Sequence, residues 1–203
     1  MVANPKRQVQ QNIDYYEIHA AEYNKNTQNL DLRSTYAPFL KHMPRGAHVL
    51  DAGCGSGRDS RYFVQLGLQV TAFDATQAMV NLAARFTGLN ILQLRFDEVS
   101  FVNQFDGIWA NASLLHTPGE QIDEVISKLV RALKIQGVIF MSFKRGEGEI
   151  IRNGRWFNSY TAPTLHGLID HQGTLSVIDL WENEDSRPER KGQYWINALA
   201  RKQ

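Results

Sequence analysis

The sequence predicts an α/β fold, doubly wound around an open and mainly parallel sheet, and three observations support this prediction. Short apolar segments alternate with longer amphipathic ones, which is typical of right-handed βαβ units. A glycine-rich stretch follows the first apolar segment, as in many nucleotide-binding domains. The last two apolar segments have no helix between them, so we expect them to form an antiparallel hairpin at one edge of the sheet.

The individual elements follow from this alternation. The predicted strands have the sequences AHVLDA, QVTAFD, NILQLRF, FDGIWAN, GVIFMSF, TLSVIDLW and QYWINALA. Helices are predicted at 13–27, 33–42, 58–66, 76–86, 120–133 and about 161–170. Pro44 and Gly46 end the second helix, and Gly67 follows the third as a helix-terminating glycine.

Length and charge favour one domain with a small-molecule partner. The 203 residues, 43% of them hydrophobic, suit a single domain over 1–203, in which 1–12 is expected to be frayed and 13–43 to form a helical N-terminal cap. The formal net charge is only +1 and no one-sided basic region is present, so no nucleic-acid partner is expected. Both a monomer and a homodimer remain open.

The cysteine count and the hydropathy of the sequence limit which metal sites and which cellular locations we expect. Cys54 is the only cysteine, which excludes an internal disulfide and multi-cysteine zinc or iron–sulfur sites, and no metal site is predicted. The first twenty residues contain no apolar signal segment, and no later stretch is long and apolar enough to cross a membrane. We therefore expect a cytoplasmic protein with no membrane partner.

The stretch VLDAGCGSGRDS, at 49–60, is the first candidate binding element. Its glycines at 53, 55 and 57 permit positive φ angles and let a ligand approach the backbone, with Asp51 just before them. In open α/β sheets ligands bind beyond the carboxyl ends of the strands, where this loop lies. The loop alone does not separate nucleotides, dinucleotides and adenosyl compounds.

Three sequence patterns that other nucleotide-binding proteins require are absent here. Gly57 is followed by Arg58, Asp59 and Ser60 rather than by the Gly-Lys-Ser/Thr of a phosphate loop, which disfavours nucleoside triphosphate hydrolysis. The glycine spacing does not match the G-x-G-x-x-G of dinucleotide loops. None of the seven tyrosines has a lysine four residues later, so the short-chain dehydrogenase pattern is also absent.

Polar and aromatic residues follow the later strands. Asp74 ends the second strand, where its carboxylate could accept hydrogen bonds from ribose hydroxyls or cap the next helix. Phe96 could wall off a base or belong to the core, and Asp97 could accept from an exocyclic amine. After the fourth strand, the sequence NASLLH offers main-chain groups and small side chains beside the glycine loop.

The segments LDAGCGSG, VTAFDA, FDGIWANASLLH and GVIFMSF together resemble the class I S-adenosylmethionine-dependent methyltransferases, over the chain from about Tyr15 onward. The Gly-Arg-x-Ser stretch after the loop resembles the small tellurite-resistance-type enzymes and related uncharacterised bacterial methyltransferases. The resemblance implies a Rossmann-like, seven-stranded sheet with its last strand reversed. It also implies S-adenosyl-L-methionine as cofactor and S-adenosyl-L-homocysteine as product.

The resemblance also assigns roles to residues. Asp51 and the backbone at Gly53 and Gly55 would hold the methionine part, Asp74 the ribose, and Phe96 with Asp97 the adenine. Tyr16 or Tyr23, with Arg33, would close over the methionine carboxylate. The complete candidate set for the cofactor is Tyr16, Tyr23, Arg33, Asp51, Gly53, Cys54, Gly55, Gly57, Asp74, Ala75, Phe96, Asp97, Asn111, Ala112 and Ser113.

The sequence indicates less about the methyl acceptor than about the cofactor. No Asn-Pro-Pro-Tyr follows the fourth strand, which disfavours DNA bases and glutamine amides, and no catechol-type metal cluster is present. His116 is the candidate general base, although it could be a structural loop histidine, and a thiolate or chalcogen oxyanion would need no base.

The candidate substrate residues lie in the segment after the fifth strand, which is expected to be a loop over the site. They are Lys144, Arg155, Trp156 and Tyr160. Their cationic and aromatic character suits a soft or anionic acceptor, but an ordinary solvated loop explains the pattern as well. The segment WENEDSRPERKGQYW is interpreted as a solvated hairpin turn.

The sequence thus predicts an S-adenosylmethionine-dependent methyltransferase acting on a small molecule. A cofactor-binding sensor without catalysis and a nucleotide-dependent oxidoreductase remain as alternatives.

Overall fold

A computed structural model of the chain describes residues 5–203, which form a mixed sheet with six α-helices. The strands are β1 (His48–Ala52), β2 (Gln69–Asp74), β3 (Leu92–Gln93), β4 (Phe105–Ala110), β5 (Leu133–Arg145), β6 (Gly148–Arg152), β7 (Arg155–Tyr160), β8 (Leu175–Glu184) and β9 (Tyr194–Lys202). The helices are α1 (Pro5–Thr27), α2 (Arg33–Leu40), α3 (Arg58–Gln65), α4 (Gln77–Thr87), α5 (Ile122–Ala132) and α6 (Ala162–His171). Among the described helices, none combines the length and the apolar character needed to cross a membrane.

The sheet confirms the predicted α/β class with mainly parallel strands, but within residues 5–203 it has nine strands instead of the expected seven, because β6 and β7 were not predicted. Strands β3, β2, β1, β4 and β5 lie side by side in that order and pair in parallel. Strand β9 runs antiparallel between β5 and β8, which is the expected C-terminal hairpin. The chain runs outward from β1 toward β3 and then returns to β4, so the crevice for a ligand lies beyond the ends of β1 and β4.

Apolar side chains alternate between the two faces of the central strands. Val49, Trp109 and Phe140 face one layer, where they pack with Phe39 and Phe63. Their neighbours in sequence face the other layer, against α5 and α6; these neighbours include Leu50, Ile108, Ala110, Ile139 and Met141. A strand that is buried on both faces reads as one continuous apolar run, which explains why these strands were recognisable in the sequence.

The structure corrects two expectations. Residues 5–12, expected to be frayed, form the first turns of α1, and Gln8 and Asn12 are buried there; residues 1–4 lie outside the described part. The expected loop after the fifth strand is a β-hairpin formed by β6 and β7. Asn153 and Gly154, both with positive φ, form its two-residue turn, and this Asn-Gly pair is a hairpin signal that the sequence reading missed.

Candidate functional site

Two clefts open at the carboxyl edge of the sheet, on either side of the glycine loop. We call the first the apolar cleft because large aliphatic and aromatic side chains line it, including Ile13, Phe73, Met79, Leu94 and Phe96. It also contains Asp74, Ala75, Asp97 and Ser113. Helix α1 forms one of its walls, and the ends of β2 and β4 form the others.

The second cleft, called the basic cleft, is lined by five cationic and two acidic side chains. The cationic residues are Arg58, Lys144, Arg155, Arg187 and Arg190, and the acidic ones are Asp59 and Asp185. The two clefts meet at six residues that line both of them: Tyr16, Tyr23, Gly53, Gly55, Ala112 and His116. A ligand extending from one cleft to the other would therefore pass the glycine loop and His116.

The glycines of the loop have different functions. Gly55 has a φ of 53°, and a Cβ there would lie 3.8 Å from Tyr23 as its nearest neighbour, so the backbone faces open cleft. A Cβ on Gly57 would lie 2.8 Å from Thr87 and 3.0 Å from Ala83. Gly57 therefore permits the close packing of α3 against α4 and lines neither cleft.

Asp74 connects the end of β2 to the glycine loop. Its carboxylate accepts hydrogen bonds from the backbone N–H of Gly55 and from that of Thr76, each at 2.9 Å. Burial raises the pKa of Asp74, although these hydrogen bonds oppose the shift. Since a carboxylate has about four acceptor positions, both oxygens can still accept from a ligand hydroxyl in the cleft.

Two further carboxylates lie buried behind the loop. Asp51 accepts a hydrogen bond from Ser60 at 2.5 Å, and burial, followed by the charge of Asp59, raises its pKa to about 8. Burial would also raise the pKa of Asp59, but the adjacent Arg58 lowers it to about 2. Asp59 accepts from Tyr36, Trp109 and Asn111 as well, so it joins α2, α3 and β4 into one support for the loop.

His116 stands at the junction of the clefts in a defined tautomer. Its Nδ1–H donates to the Trp156 carbonyl at 2.8 Å, because a carbonyl can only accept. Nε2 is then the acceptor for the Tyr16 hydroxyl at 2.9 Å. Burial lowers the pKa of His116 to about 4, so the imidazole is neutral near pH 7. Neither Ser113 nor Thr117, the polar residues nearest to His116 in sequence, makes a hydrogen bond with its side chain.

Arg155 adjoins this pair. One guanidinium nitrogen donates to the Tyr16 hydroxyl at 3.2 Å, and the guanidinium lies over the rings of Tyr15 and Phe157. Arg155, Tyr16 and His116 therefore form a continuous hydrogen-bonded chain along the boundary of the clefts.

Lys144 also reaches the basic cleft, but its charge is already compensated. Its ammonium donates to Asp185 at 2.7 Å and lies 3.7 Å from the centre of the Trp195 ring. Burial lowers the pKa of Lys144 to about 8 despite the hydrogen bond to Asp185. Asp185 also accepts from Arg187, so one carboxylate serves two cations.

Several candidates lie outside both clefts. Arg33 is exposed and paired with Asp31 at 2.6 Å, so it does not close over the loop as expected. Trp156 contributes its backbone and directs its indole N–H to Gln11, and Tyr160 accepts a hydrogen bond from Asn158. Asp51 and Gly57 support the loop from behind. The other candidates line one cleft or both.

Among the lining residues that the sequence did not indicate, two groups lie in segments for which another role was expected. Val9 and Asn12, in the part expected to be frayed, line the apolar cleft. The turn between β8 and β9, expected to be solvated, contributes Asp185, Arg187 and Arg190 to the basic cleft. Its mixed charges gave no signal because only the fold shows which of them face the site. Within residues 5–203, no group of three or more His, Cys, Asp or Glu side chains is arranged to hold a metal ion.

Part of this chain is similar in sequence to known methyltransferases. Residues 49–137 match a family model described as a methyltransferase domain. A malonyl-(acyl-carrier protein) O-methyltransferase of Enterobacter lignolyticus is 32% identical over 124 residues, covering 59% of this chain and 48% of that relative. A ubiquinone biosynthesis O-methyltransferase of Xanthomonas oryzae pv. oryzae is 34% identical over 105 residues, covering 48% and 43%. The chain spans about half the length of these curated relatives.

A solved structure extends the likeness to the whole chain. The 1,6-didemethyltoxoflavin-N1-methyltransferase of Burkholderia thailandensis, bound to 1,6-didemethyltoxoflavin and S-adenosylhomocysteine, superposes with a TM-score of 0.83 at 23% identity. The match covers 100% of this chain and 92% of that one. The superposition shows that this chain shares the fold of that methyltransferase, an α/β fold with a mainly parallel sheet as the sequence predicted. The names of these proteins give oxygen or nitrogen as the methylated atom, and the resemblance to tellurite-resistance enzymes is not supported.

Proposed function

We propose that this chain binds S-adenosylmethionine and transfers its methyl group to a small molecule. The observation that carries the proposal is the bare backbone at Gly55, fixed by Asp74 at the switch point of the sheet and open to both clefts. A carboxylate at the end of β2 beside a side-chain-free loop suits a ribose next to the methionine part of the cofactor.

The residues present fit the cofactor part by part. Asp74 would accept the ribose hydroxyls, and Phe96 with Asp97 would border the adenine in the apolar cleft. The backbone from Gly53 to Gly55 would hold the methionine part, since a side chain at Gly55 would project into the space between the clefts. When bound, the cofactor supplies a methyl group on a positively charged sulfur, already activated for displacement.

The remaining task of the protein is to orient the acceptor and exclude water. Correct orientation can contribute about 7 to 11 kcal/mol in favourable cases. Tyr16, Tyr23 and His116 lie where the clefts meet, so they would surround the reacting atoms. The cationic lining of the basic cleft favours an anionic acceptor. No observation now favours tellurite or a thiolate in particular.

His116 is proposed as the general base, acting through Tyr16. The acceptor would give its proton to the Tyr16 oxygen, and the hydroxyl proton of Tyr16 would pass to Nε2 of His116, while the cofactor would supply the methyl group and retain the electrons of the broken carbon–sulfur bond. Burial keeps the His116 imidazole neutral near pH 7 by lowering its pKa, so Nε2 is free to accept this proton. Arg155 donates to the Tyr16 oxygen and stabilises negative charge there.

Two measurements test the proposal. S-adenosylhomocysteine should raise the melting temperature, because a ligand that binds only the folded state stabilises it. Tritium from labelled S-adenosylmethionine should then appear in at least one member of a panel of phenols, hydroxy acids, heteroaromatic N–H compounds, thiols and tellurite. The absence of a melting shift would contradict the cofactor assignment, while binding without transfer to any acceptor would favour a sensor.

A further inference from the structure

Arg155 is a buried cation without a counter-ion. Its side chain belongs to a residue only 8% exposed, and within residues 5–203 no carboxylate forms an ion pair with it. Its Nε is buried and has no hydrogen-bond partner. Burying a charge without a partner is costly, so this guanidinium is arranged for an acceptor that is not part of the described chain.

Arg190 is a second cationic side chain without an ion pair in the same region of the described chain. It lines the basic cleft together with Arg155, and both also line the adjoining cavity that contains Arg152. Burial, followed by the charges of Arg187, Arg155 and Arg152, lowers the pKa of Arg190. In the described chain neither Arg190 nor Arg152 forms an ion pair, and the nearby Asp185 is already shared by Lys144 and Arg187. Glu189 is the acidic side chain that lines the adjoining cavity.

The sulfonium expected next to this region makes the excess charge more significant. A positively charged methyl donor beside unpaired guanidiniums is destabilised unless an anion is bound as well, since like charges in a cleft interact strongly. Guanidinium forks are well suited to bind carboxylates and other oxyanions through paired N–H donors.

We propose that Arg155 and Arg190 form an oxyanion subsite for the methyl acceptor. The acceptor then carries a carboxylate, held by these two residues, and a separate O–H or N–H group that lies beside Tyr16 and His116. Arg155 connects the two functions because it also donates to Tyr16. This inference rests on the proposed function, and the carboxylate of the cofactor is the competing occupant of the subsite.

Calorimetry on protein saturated with S-adenosylhomocysteine separates these occupants, because the cofactor carboxylate is then already bound. We expect 2-hydroxybenzoate to bind at least tenfold more tightly than neutral 2-hydroxybenzamide, with an affinity that falls as salt is raised. Arg190→Gln should weaken 2-hydroxybenzoate about tenfold or more and leave S-adenosylhomocysteine within about threefold. Arg155→Lys keeps the charge but loses the fork, and it should weaken the anion as well.

Arg131→Gln is the matched control, since Arg131 is exposed on α5 and lines neither cleft. Equal losses in Arg131→Gln and Arg190→Gln would refute the subsite, and so would equal affinities for the acid and its amide. A large loss of S-adenosylhomocysteine in Arg190→Gln would assign the cations to the cofactor instead. Binding of 2-hydroxybenzoate without any binding of S-adenosylhomocysteine would contradict the proposed function but not the anion site.

Discussion

The two clefts were built from different parts of the chain, and this difference explains how far each could be read from the sequence. Most of the apolar cleft comes from the ends of β2 and β4 and from the glycine loop, all within residues 49–137, which match the methyltransferase domain. The basic cleft depends on Lys144, Arg155 and Arg190, which lie outside that match. Segments close together in sequence form most of the first cleft, whereas the second also needs side chains from distant segments.

The clefts also differ in how their charges are arranged. In the apolar cleft, Asp74 has two backbone donors, and Arg95 is paired with Asp97 at 2.9 Å. In the basic cleft, cations outnumber carboxylates, and Arg155 lacks a counter-ion in the part of the chain described here. The charged side chains of the apolar cleft therefore have partners within the chain. In the basic cleft we propose that a bound anion balances the excess positive charge.

Gly55→Val gives the largest expected effect and acts on the loop between the clefts. Its branched side chain would occupy the space that the cofactor needs, so binding of S-adenosylhomocysteine should fall below detection. Gly67→Val is the control because Gly67 also has a positive φ but no neighbouring atoms within 4 Å. Similar losses of binding in both variants would show that backbone strain, rather than the cleft, is responsible.

His116→Ala should lower turnover by about 10²- to 10⁴-fold, the usual loss when a general base is removed. Dissociation of S-adenosylhomocysteine should change little, because Asp74 and the loop remain intact. Steady-state kinetics and calorimetry measure the two effects separately. His166→Ala, at an exposed position on α6, serves as the control. Unchanged turnover in His116→Ala would indicate an acceptor that requires no base.

Asp74→Asn should weaken S-adenosylhomocysteine by about 10- to 100-fold, which corresponds to charged hydrogen bonds of about 1.5 to 3 kcal/mol. The amide retains one acceptor oxygen for the loop but loses the carboxylate that would accept both ribose hydroxyls. Calorimetry measures the change, with Asp97→Asn as a comparison at a half-exposed position. A normal affinity in Asp74→Asn would mean that Asp74 only connects the loop to α4.

Lys144→Met gives the smallest expected effect, at most about a threefold change in the KM of the acceptor. Asp185 already neutralises Lys144, so its removal takes little free positive charge from the cleft. The carboxylate would keep its bond to Arg187. Initial rates over a range of acceptor concentrations measure the KM, after circular dichroism has verified folding. A KM change larger than that of Arg190→Gln would reverse the charge assignment in the basic cleft.

The fold and the apolar cleft could be predicted because local patterns determine them. Continuous apolar runs marked the buried strands, and Asp74 and Phe96 followed their ends in sequence. Asp51 shows the limit of this reasoning: it stands next to the loop in sequence but is directed toward Ser60 behind it. Sequence adjacency does not reveal the direction of a side chain.

The basic cleft could not be predicted at the same level because its charges are paired across long separations. Lys144 and Asp185 are neighbours only after β9 has inserted beside β5. Without that contact, Lys144 and Arg190 look equivalent in sequence, yet one is neutralised and the other is not. Arg33 shows the opposite case. It lies outside the site because it pairs with Asp31, its neighbour in sequence.

The link between Asn12 and Trp156 has a consequence for how the protein is made. Asn12 binds both backbone groups of Trp156, a residue 144 positions later in the chain, and so holds α1 over the site. Synthesis proceeds from the N-terminus, and native contacts form as their partners emerge. Helix α1 therefore leaves the ribosome long before the strand that secures it. A ligand in the clefts would therefore protect the nascent chain against unfolding and proteolysis only after Trp156 has emerged.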